Sequence, residues 1–181
     1  MRIVSPDAFP LPWLTLRPFQ VRGRGNPKTS VHKEYVDVIS SFDIETTRIK
    51  EIEQSVMYVW QWAFGTPETG CDYVVVGRTW EEFTDFRRRI SAHLSEDQKI
   101  VCYVHNLSYE FQYLKGIYGF KPDEVFAIKP RKILKCLMFD LFEFRCSYIQ
   151  TNMSLASFTR AMGVEYEKLD GFDYEKERYF D

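Results

Sequence analysis

The chain has 181 residues, of which 45% are hydrophobic and 17% aromatic, which is enough apolar surface for one domain with a buried core. A net charge of −2 does not indicate a basic nucleic-acid-binding domain, although a site that holds cations through carboxylates would be locally acidic. Membrane-spanning runs, a signal peptide and zinc-ligand spacing of the four cysteines are all absent from the sequence, so we expect a cytoplasmic protein with free thiols and no membrane partner.

Residues 1–34 are rich in proline and contain Gly-Arg-Gly-Asn-Pro. This composition predicts an irregular N-terminal arm that precedes a domain over residues 35–181. Basic residues gather in this arm, in Arg87–Arg89 and in Lys129–Lys132 with Lys135. Each basic run is expected to be a solvated face.

The hydrophobic pattern predicts strands and helices in mixed order. Alternation predicts a strand over 35–45, and apolar runs predict strands at 56–64 and 72–76. A capping box at Thr79–Glu82 starts a predicted helix over 80–94. A buried strand at 100–104, a helix at 108–118, strands within 123–149 and a short helix at 154–162 follow. The order predicts an α/β fold with a mixed sheet, its first three strands antiparallel and the next strand parallel to the first.

Two acids close the first predicted strand. Because side chains alternate along a strand, Asp43 and Glu45 share the face opposite Phe42 and Ile44, with Cα atoms roughly 6.6 Å apart. Carboxylates so placed repel unless a cation lies between them, and Mg²⁺ takes such oxygen ligands. D-x-E alone is a common string, but its place at the end of an apolar strand favours a metal site.

A third acid, Glu110, falls on a predicted helix in register with Tyr113, Leu114 and Ile117. A carboxylate at the edge of an apolar stripe needs a partner. A salt bridge and a metal ion explain it equally well from the pattern. Asn106 lies at the junction before this helix, where the role of a helix cap is sufficient to explain an asparagine.

Four segments in order resemble the 3′→5′ exonuclease domain of protein-primed family B DNA polymerases of phages and linear plasmids. Segment 41–47 resembles the first exonuclease motif, which contains D-x-E, and segment 105–110 (HNLSYE) resembles the second, H-N-L-x-[FY]-D. Segment 154–158 (SLASF) fits the S/T-L-x-x-hydrophobic motif, and 171–178 (GFDYEKER) resembles a D-Y-x-K-E-R stretch. The resemblance covers the chain from about residue 36 onward.

The resemblance implies a ribonuclease H-like fold and two-metal hydrolysis of 3′-terminal nucleotides. Asp43, Glu45 and Glu110 would be catalytic and would hold two Mg²⁺ or Mn²⁺ ions. The single-stranded DNA 3′ end would be contacted by His105, Asn106, Tyr109, Ser154, Leu155 and Lys168. The implied partners are this DNA, a polymerase module of the same full-length protein and a terminal protein.

The sequence departs from this family at two points. Position 110 is Glu where the family has Asp. The family's third motif, Y-x-x-x-D, formally fits 166–170, with Tyr166 and Asp170. That segment precedes the D-Y-x-K-E-R-like stretch instead of following it, so we expect the third motif beyond residue 181.

Two alternatives remain open from the sequence. One is a non-catalytic module with the same fold that binds single-stranded DNA or a terminal protein, in which Glu110 is structural. The other is an unrelated ribonuclease H-like nuclease that acts on structured RNA or in repair.

Overall fold

The computed structural model describes residues 1–15, 18–21 and 33–164. The strands are β1 (Arg2–Val4), β2 (Pro18–Val21), β3 (Lys33–Val36), β4 (Ile39–Ile49), β5 (Gln54–Thr66), β6 (Gly70–Gly77), β7 (Gln98–Val104), β8 (Val125–Lys129), β9 (Lys132–Met138) and β10 (Phe142–Cys146). The α-helices are α1 (Trp80–His93), α2 (Ser108–Ile117), α3 (Tyr148–Thr151) and α4 (Leu155–Ala161), with short 3₁₀ turns at Pro6–Ala8, Leu11–Thr15, Lys50–Ile52 and Pro122–Glu124. Within these described ranges no helix is long and apolar enough to cross a membrane.

The main sheet is mixed, in the order β1-β6-β5-β4-β7-β10-β9-β8. Strands β4, β5 and β6 are antiparallel neighbours, and β7 lies parallel to β4. The predicted antiparallel start and the parallel fourth strand are therefore confirmed. β3 pairs with the start of β7 and with β2.

An aromatic core fills one face of the sheet. Trp60, Trp62 and Phe42 are at most 1% exposed and pack against Phe83 and Phe86 of α1. The predicted capping box of α1 is present, with Thr79 Oγ1 accepting from the Glu82 N–H at 3.1 Å. Leu114 of α2 belongs to the same core.

The first fifteen residues are part of the fold, which corrects the prediction of an arm that precedes it. β1 extends the sheet in parallel to β6, and Phe9 and Leu14 are buried in the core. Three of the prolines that suggested an irregular arm, Pro6, Pro10 and Pro12, lie in or beside two 3₁₀ turns that pack against the core. A three-residue strand has too few positions for a detectable period.

A buried acid ties β3 to the far half of the sheet. Glu143 of β10 is 2% exposed and accepts hydrogen bonds from the Tyr35 hydroxyl at 2.9 Å and Arg145 Nε at 2.8 Å. Burial alone would raise the pKa of Glu143, but Arg145, Lys135 and the Tyr35 hydroxyl outweigh it and hold that pKa below its usual value. β3 is therefore anchored by charge as well as by strand pairing.

Candidate active site

The candidate site lies where β7 stops and β4 continues. β4 and β7 pair only through Ser40 and Ser41, and β7 ends at Val104. Beyond that point β4 runs on to Ile49 and is paired with β5. The chain turns into α2 after β7, which brings the first turn of α2 beside the continuing part of β4.

Asp43 of β4 and Glu110 of α2 meet at this point through a hydrogen bond between their carboxyl groups. Asp43 is exposed, whereas Glu110 is 2% exposed. The second oxygen of Glu110, Oε2, is buried and has no hydrogen-bond partner within the described residues. An unsatisfied buried oxygen in a native fold calls for an explanation, and a bound ion is one.

The electrostatics of the pair follow from this geometry. Burial, reinforced by the charge and hydrogen bond of Asp43, raises the pKa of Glu110 to about 8, although a backbone hydrogen bond partly opposes the shift. Ionisation of both adjacent carboxyl groups is unfavourable, because the two negative charges repel each other. One proton is therefore shared between them when no cation is near. The same charge repulsion would favour a divalent cation in place of the proton.

Glu45 lies on the same strand face as Asp43, as the alternation predicts. Phe42 and Ile44, which alternate with these two acids, are buried, and Glu45 is partly exposed. The register between β4 and β5 shifts between Glu45 and Thr46, which is the mark of a bulge. Bulges turn side chains away from the regular pleat and are common next to active sites.

These three acids do not form a closed metal site. Across residues 1–15, 18–21 and 33–164, the structure brings no three His, Cys, Asp or Glu side chains into a group that could hold a metal ion. The structure thus brings Asp43 and Glu110 together and leaves Glu45 outside the pair. Mg²⁺ is commonly held by one or two carboxylates with substrate phosphate and water, so the pair and the unsatisfied Glu110 oxygen fit a cation that substrate helps to bind.

Tyr109 borders the carboxyl pair on α2. Its hydroxyl is hydrogen-bonded to Thr46 Oγ1 at 2.6 Å, and its ring packs on Tyr113 at 5.5 Å between centroids. Desolvation of the hydroxyl raises the pKa of Tyr109 to about 12, so it stays neutral. The residue is 39% exposed, which leaves part of the ring available to a base.

Asn106 has a different local role from a helix cap. Its φ is +66°, in the left-handed region that Asn tolerates better than most residues. The N-cap position of α2 is Leu107, and no side chain caps the helix there. The structure therefore rejects the cap interpretation, and the exposed Asn106 amide remains a candidate for DNA contact.

Of the other predicted DNA contacts, His105 and Ser154 have local roles in the structure. His105 is half-buried, with Nδ1 3.4 Å from Ser147 Oγ and its ring edge-on to Tyr148. Ser154 is the N-cap of α4 and accepts from the Ser157 N–H at 3.1 Å. Leu155 is 44% exposed. Lys168, Tyr166 and Asp170 lie outside the described residues.

Sequence reasoning missed two features of this site. It did not assign a role to Tyr113, although spacing of four residues on a helix places it beside Tyr109. It also did not connect Thr46 with Tyr109, because a hydrogen bond between residues 63 positions apart has no sequence signal.

Comparison with known proteins identifies the fold. No protein-family model matches the sequence, and no curated protein matches it. A solved structure of Phi29 DNA polymerase complexed with single-stranded DNA superposes with a TM-score of 0.58 at 15% identity, over 79% of this chain and 26% of the polymerase. Its complex with primer-template DNA gives a TM-score of 0.51 at 14% identity, over 78% of this chain and 26% of the polymerase.

The chain shares its fold with part of this polymerase. It spans about a quarter of the polymerase chain. The predicted α/β fold with a mixed sheet is thereby confirmed, and the predicted resemblance to a DNA polymerase is borne out at the level of the fold.

Proposed function

We propose that the chain is the 3′→5′ proofreading exonuclease domain of a protein-primed family B DNA polymerase. The observation that carries the proposal is the Asp43–Glu110 pair, with its buried and unsatisfied oxygen, at the end of β7 in a polymerase-like fold. The substrate is the 3′ end of single-stranded DNA. The proposed partners are the polymerase module of the same full-length protein and a terminal protein.

The residues divide into two groups by the chemistry they offer. Asp43 and Glu110 are the proposed ligands of Mg²⁺ or Mn²⁺. Glu45, on the same strand face as Asp43, is the proposed third ligand. Bound cations would supply activated water and neutralise charge on the scissile phosphate. Tyr109 and Asn106 are the proposed contacts to the terminal nucleotides, Tyr109 by stacking and Asn106 by its amide.

A second function is favoured by one observation. No three metal-ligating side chains come together in the described part of the chain, which suits a non-catalytic module that binds single-stranded DNA or a terminal protein. In that case the Asp43–Glu110 pair keeps its proton and Glu110 is a structural residue. Metal binding separates the two functions.

The test measures Mn²⁺ binding by calorimetry and Mn²⁺-dependent shortening of a 5′-labelled single strand. We expect Asp43→Ala to abolish both and Glu110→Gln to weaken Mn²⁺ binding at least tenfold. Glu96→Gln, which removes an exposed acid just before β7, at the end of that strand opposite to the pair, is the matched control and should change neither. Nuclease activity that survives Asp43→Ala would disprove the assignment, and DNA binding without any Mn²⁺ binding would favour the second function.

A further inference from the structure

A cleft of about 330 Å³ opens beside the start of α2. One wall is the turn between β8 and β9, which carries Lys129, Arg131 and Lys132. Asn106, Ser108 and Tyr148 are among the described residues that line the rest, and none of the described lining residues is acidic. The cleft thus has three cations on one side and the polar groups of Asn106, Ser108 and Tyr148 on the other, and apolar side chains, among them Ile133, Leu134 and Ile149, also line it.

The turn is held in place relative to α2. The Ile133 N–H, directly after the turn, donates to Ser108 Oγ at 2.9 Å. Ser108 lies two residues before Glu110, so one short segment of α2 both lines the cleft and supplies Glu110 to the carboxyl pair. The cations therefore have a fixed position near the candidate active site, unlike those of a freely moving loop.

The three cations are not committed to carboxylates of the described chain. Lys129, Arg131 and Lys132 are exposed and take part in none of the ion pairs that the structure forms within the described ranges. Clustered cations repel each other, and an anion that binds among them relieves that repulsion. α2 also begins at this cleft without a side-chain cap, so the positive end of its dipole adds to the same field.

Arg131 occupies a position that turn geometry alone would not select. Lys129 and Lys132 are paired, so Pro130 and Arg131 are the two loop residues of a hairpin. Arg131 has a φ of +62°, and after a proline that position normally holds Gly or Asn. Glycine would fit this position with less backbone strain, so Arg131→Gly removes the cationic side chain without disturbing the turn.

We propose that this cleft is a phosphate-binding subsite for the nucleic-acid strand, which grips a backbone phosphodiester upstream of the 3′ terminus held at Asp43 and Glu110. The proposal rests on the proposed function for its direction along the strand. Arg131, Lys129 and Lys132 bind the phosphate oxygens. The subsite reads no base, because its charged groups address the backbone.

The consequence is a strand held at two points. The phosphate subsite fixes the strand upstream, while Tyr109 and Asn106 contact the terminal nucleotides. A single strand that is too short to reach the cleft should therefore bind more weakly than a strand that spans both points.

The experiment measures binding of a fluorescent single strand by anisotropy, in EDTA to prevent cleavage, over a series of salt concentrations. The test variant is Lys129→Gln/Arg131→Gln/Lys132→Gln. For single strands the slope of log K against log salt is negative, and each lost phosphate contact reduces its magnitude by about 0.7. We expect the salt slope of the triple variant to be smaller in magnitude by at least this amount. We also expect the variant to bind the strand at least tenfold more weakly at low salt.

A matched triple variant, Arg78→Gln/Lys115→Gln/Lys121→Gln, removes the same charge from exposed positions outside the cleft. It should keep the salt slope of the unmodified chain. Equal losses in both triple variants would mean that only the overall charge matters, and would overturn the subsite. An unchanged slope in the turn variant would overturn it as well.

Two further measurements guard against misfolding and locate the phosphate. Arg131→Gly should keep or raise the melting temperature, because glycine suits a positive φ, yet should weaken DNA binding. A strand with one neutral methylphosphonate, moved stepwise from the 3′ end, should weaken binding to the unmodified chain at one upstream position and have no effect there on the turn variant. If Arg131→Gly binds DNA normally, the proposal fails.

These outcomes are separable from those of the proposed nuclease. The turn variants are scored without metal, and Asp43→Ala is scored by Mn²⁺ binding and cleavage. If the Asp43→Ala results disprove the nuclease but the turn variants still bind DNA more weakly, the chain is a nucleic-acid-binding module with this subsite. If the turn variants bind DNA normally and the Asp43→Ala results stand, the chain is a nuclease without this subsite.

Discussion

At the scale of single residues, the proton on Glu110 makes stability depend on pH. The pKa of Glu110 in the folded chain is about 8, above its ordinary value of 4.5. Between these values the unfolded chain has lost the proton and the folded chain keeps it, so stability falls as pH rises through this window. The fall contributed by this residue is about 1.4 kcal/mol per pH unit, and it levels off above pH 8.

We therefore expect Glu110→Gln to be more stable than the unmodified chain at pH 8 and similar to it near pH 4.5, because the amide has no proton to lose. Urea unfolding in EDTA at several pH values measures this difference. Mg²⁺ should reduce the pH dependence of the unmodified chain, since a cation replaces the shared proton. A pH profile that is the same in both proteins would contradict the buried pair.

Glu143 gives the opposite pH dependence. Its pKa is held below the usual value of 4.5 by its partners, chiefly Arg145, so its contribution is present above that value and disappears as pH falls through its lowered pKa. Glu143→Ala should cost about 3 kcal/mol at neutral pH, because Arg145 loses its partner. The difference from the unmodified chain should shrink under acid conditions, whereas Glu96→Ala should be neutral throughout.

At the scale of elements, the two longer helices and the central strands follow from local pattern. α1 has a full capping box and apolar residues at helical spacing, and both signals are local. The predicted strand over 35–45 is instead two strands, β3 and β4, separated at Asp37. Both strands pair with β7, but β3 has β2 as its other neighbour and β4 has β5, and alternation within one segment cannot reveal this change of partner.

The candidate site was predictable only in part. Alternation placed Asp43 and Glu45 on one face, but nothing local brings Glu110 to Asp43 from a distant part of the chain. The resemblance to exonuclease motifs supplied that link, and the structure places the two side chains in contact. The Tyr35–Glu143 bond and the cleft at Lys129–Lys132 depend on long-range packing, so local pattern gave no sign of the first and predicted only a solvated basic face for the second.

One element-scale prediction concerns the close contact between β5 and β6. Gly77 is paired with Trp60, and a Cβ there would overlap the indole ring. The ring cannot move aside, because it is fully buried, packs on Phe83 and donates from Nε1 to the Thr79 carbonyl at 2.9 Å. Gly77→Ala should cost about 1–3 kcal/mol in thermal unfolding.

Gly116 provides the matched control. It lies in α2, and the space that an added methyl group would occupy there is open. Gly116→Ala should stabilise the chain by about 1 kcal/mol, because alanine favours helix. If both alanines had the same effect, the steric explanation for Gly77 would fail.

At the scale of the whole molecule, the N-terminal residues complete the core. The Phe9 ring lies 5.0 Å from Phe64 and 5.4 Å from Phe86, and β1 extends the sheet beside β6. Phe9→Ala should lower the free energy of unfolding by about 3–5 kcal/mol in guanidinium. Removal of residues 1–15 should prevent folding.

Ile3→Ala is the control, because Ile3 is 70% exposed on the same segment. It should change stability by less than about 0.5 kcal/mol. If the chain without residues 1–15 unfolds as cooperatively as the full chain, these residues are an arm outside the folded domain after all. Nothing in composition distinguishes the two cases, because proline-rich segments occur in arms and in packed 3₁₀ turns alike.

The alternation along β4 has a further consequence for how the chain can change over time. Phe42 and Ile44 support the core, while Asp43 and Glu45, which alternate with them, face the candidate site. A single-residue insertion or deletion upstream in this strand would exchange the two sets, burying acids and exposing aromatic surface at once. Length change in β4 between Ile39 and Asp43 should therefore be selected against, and variation in this part of the strand should proceed mainly by substitution.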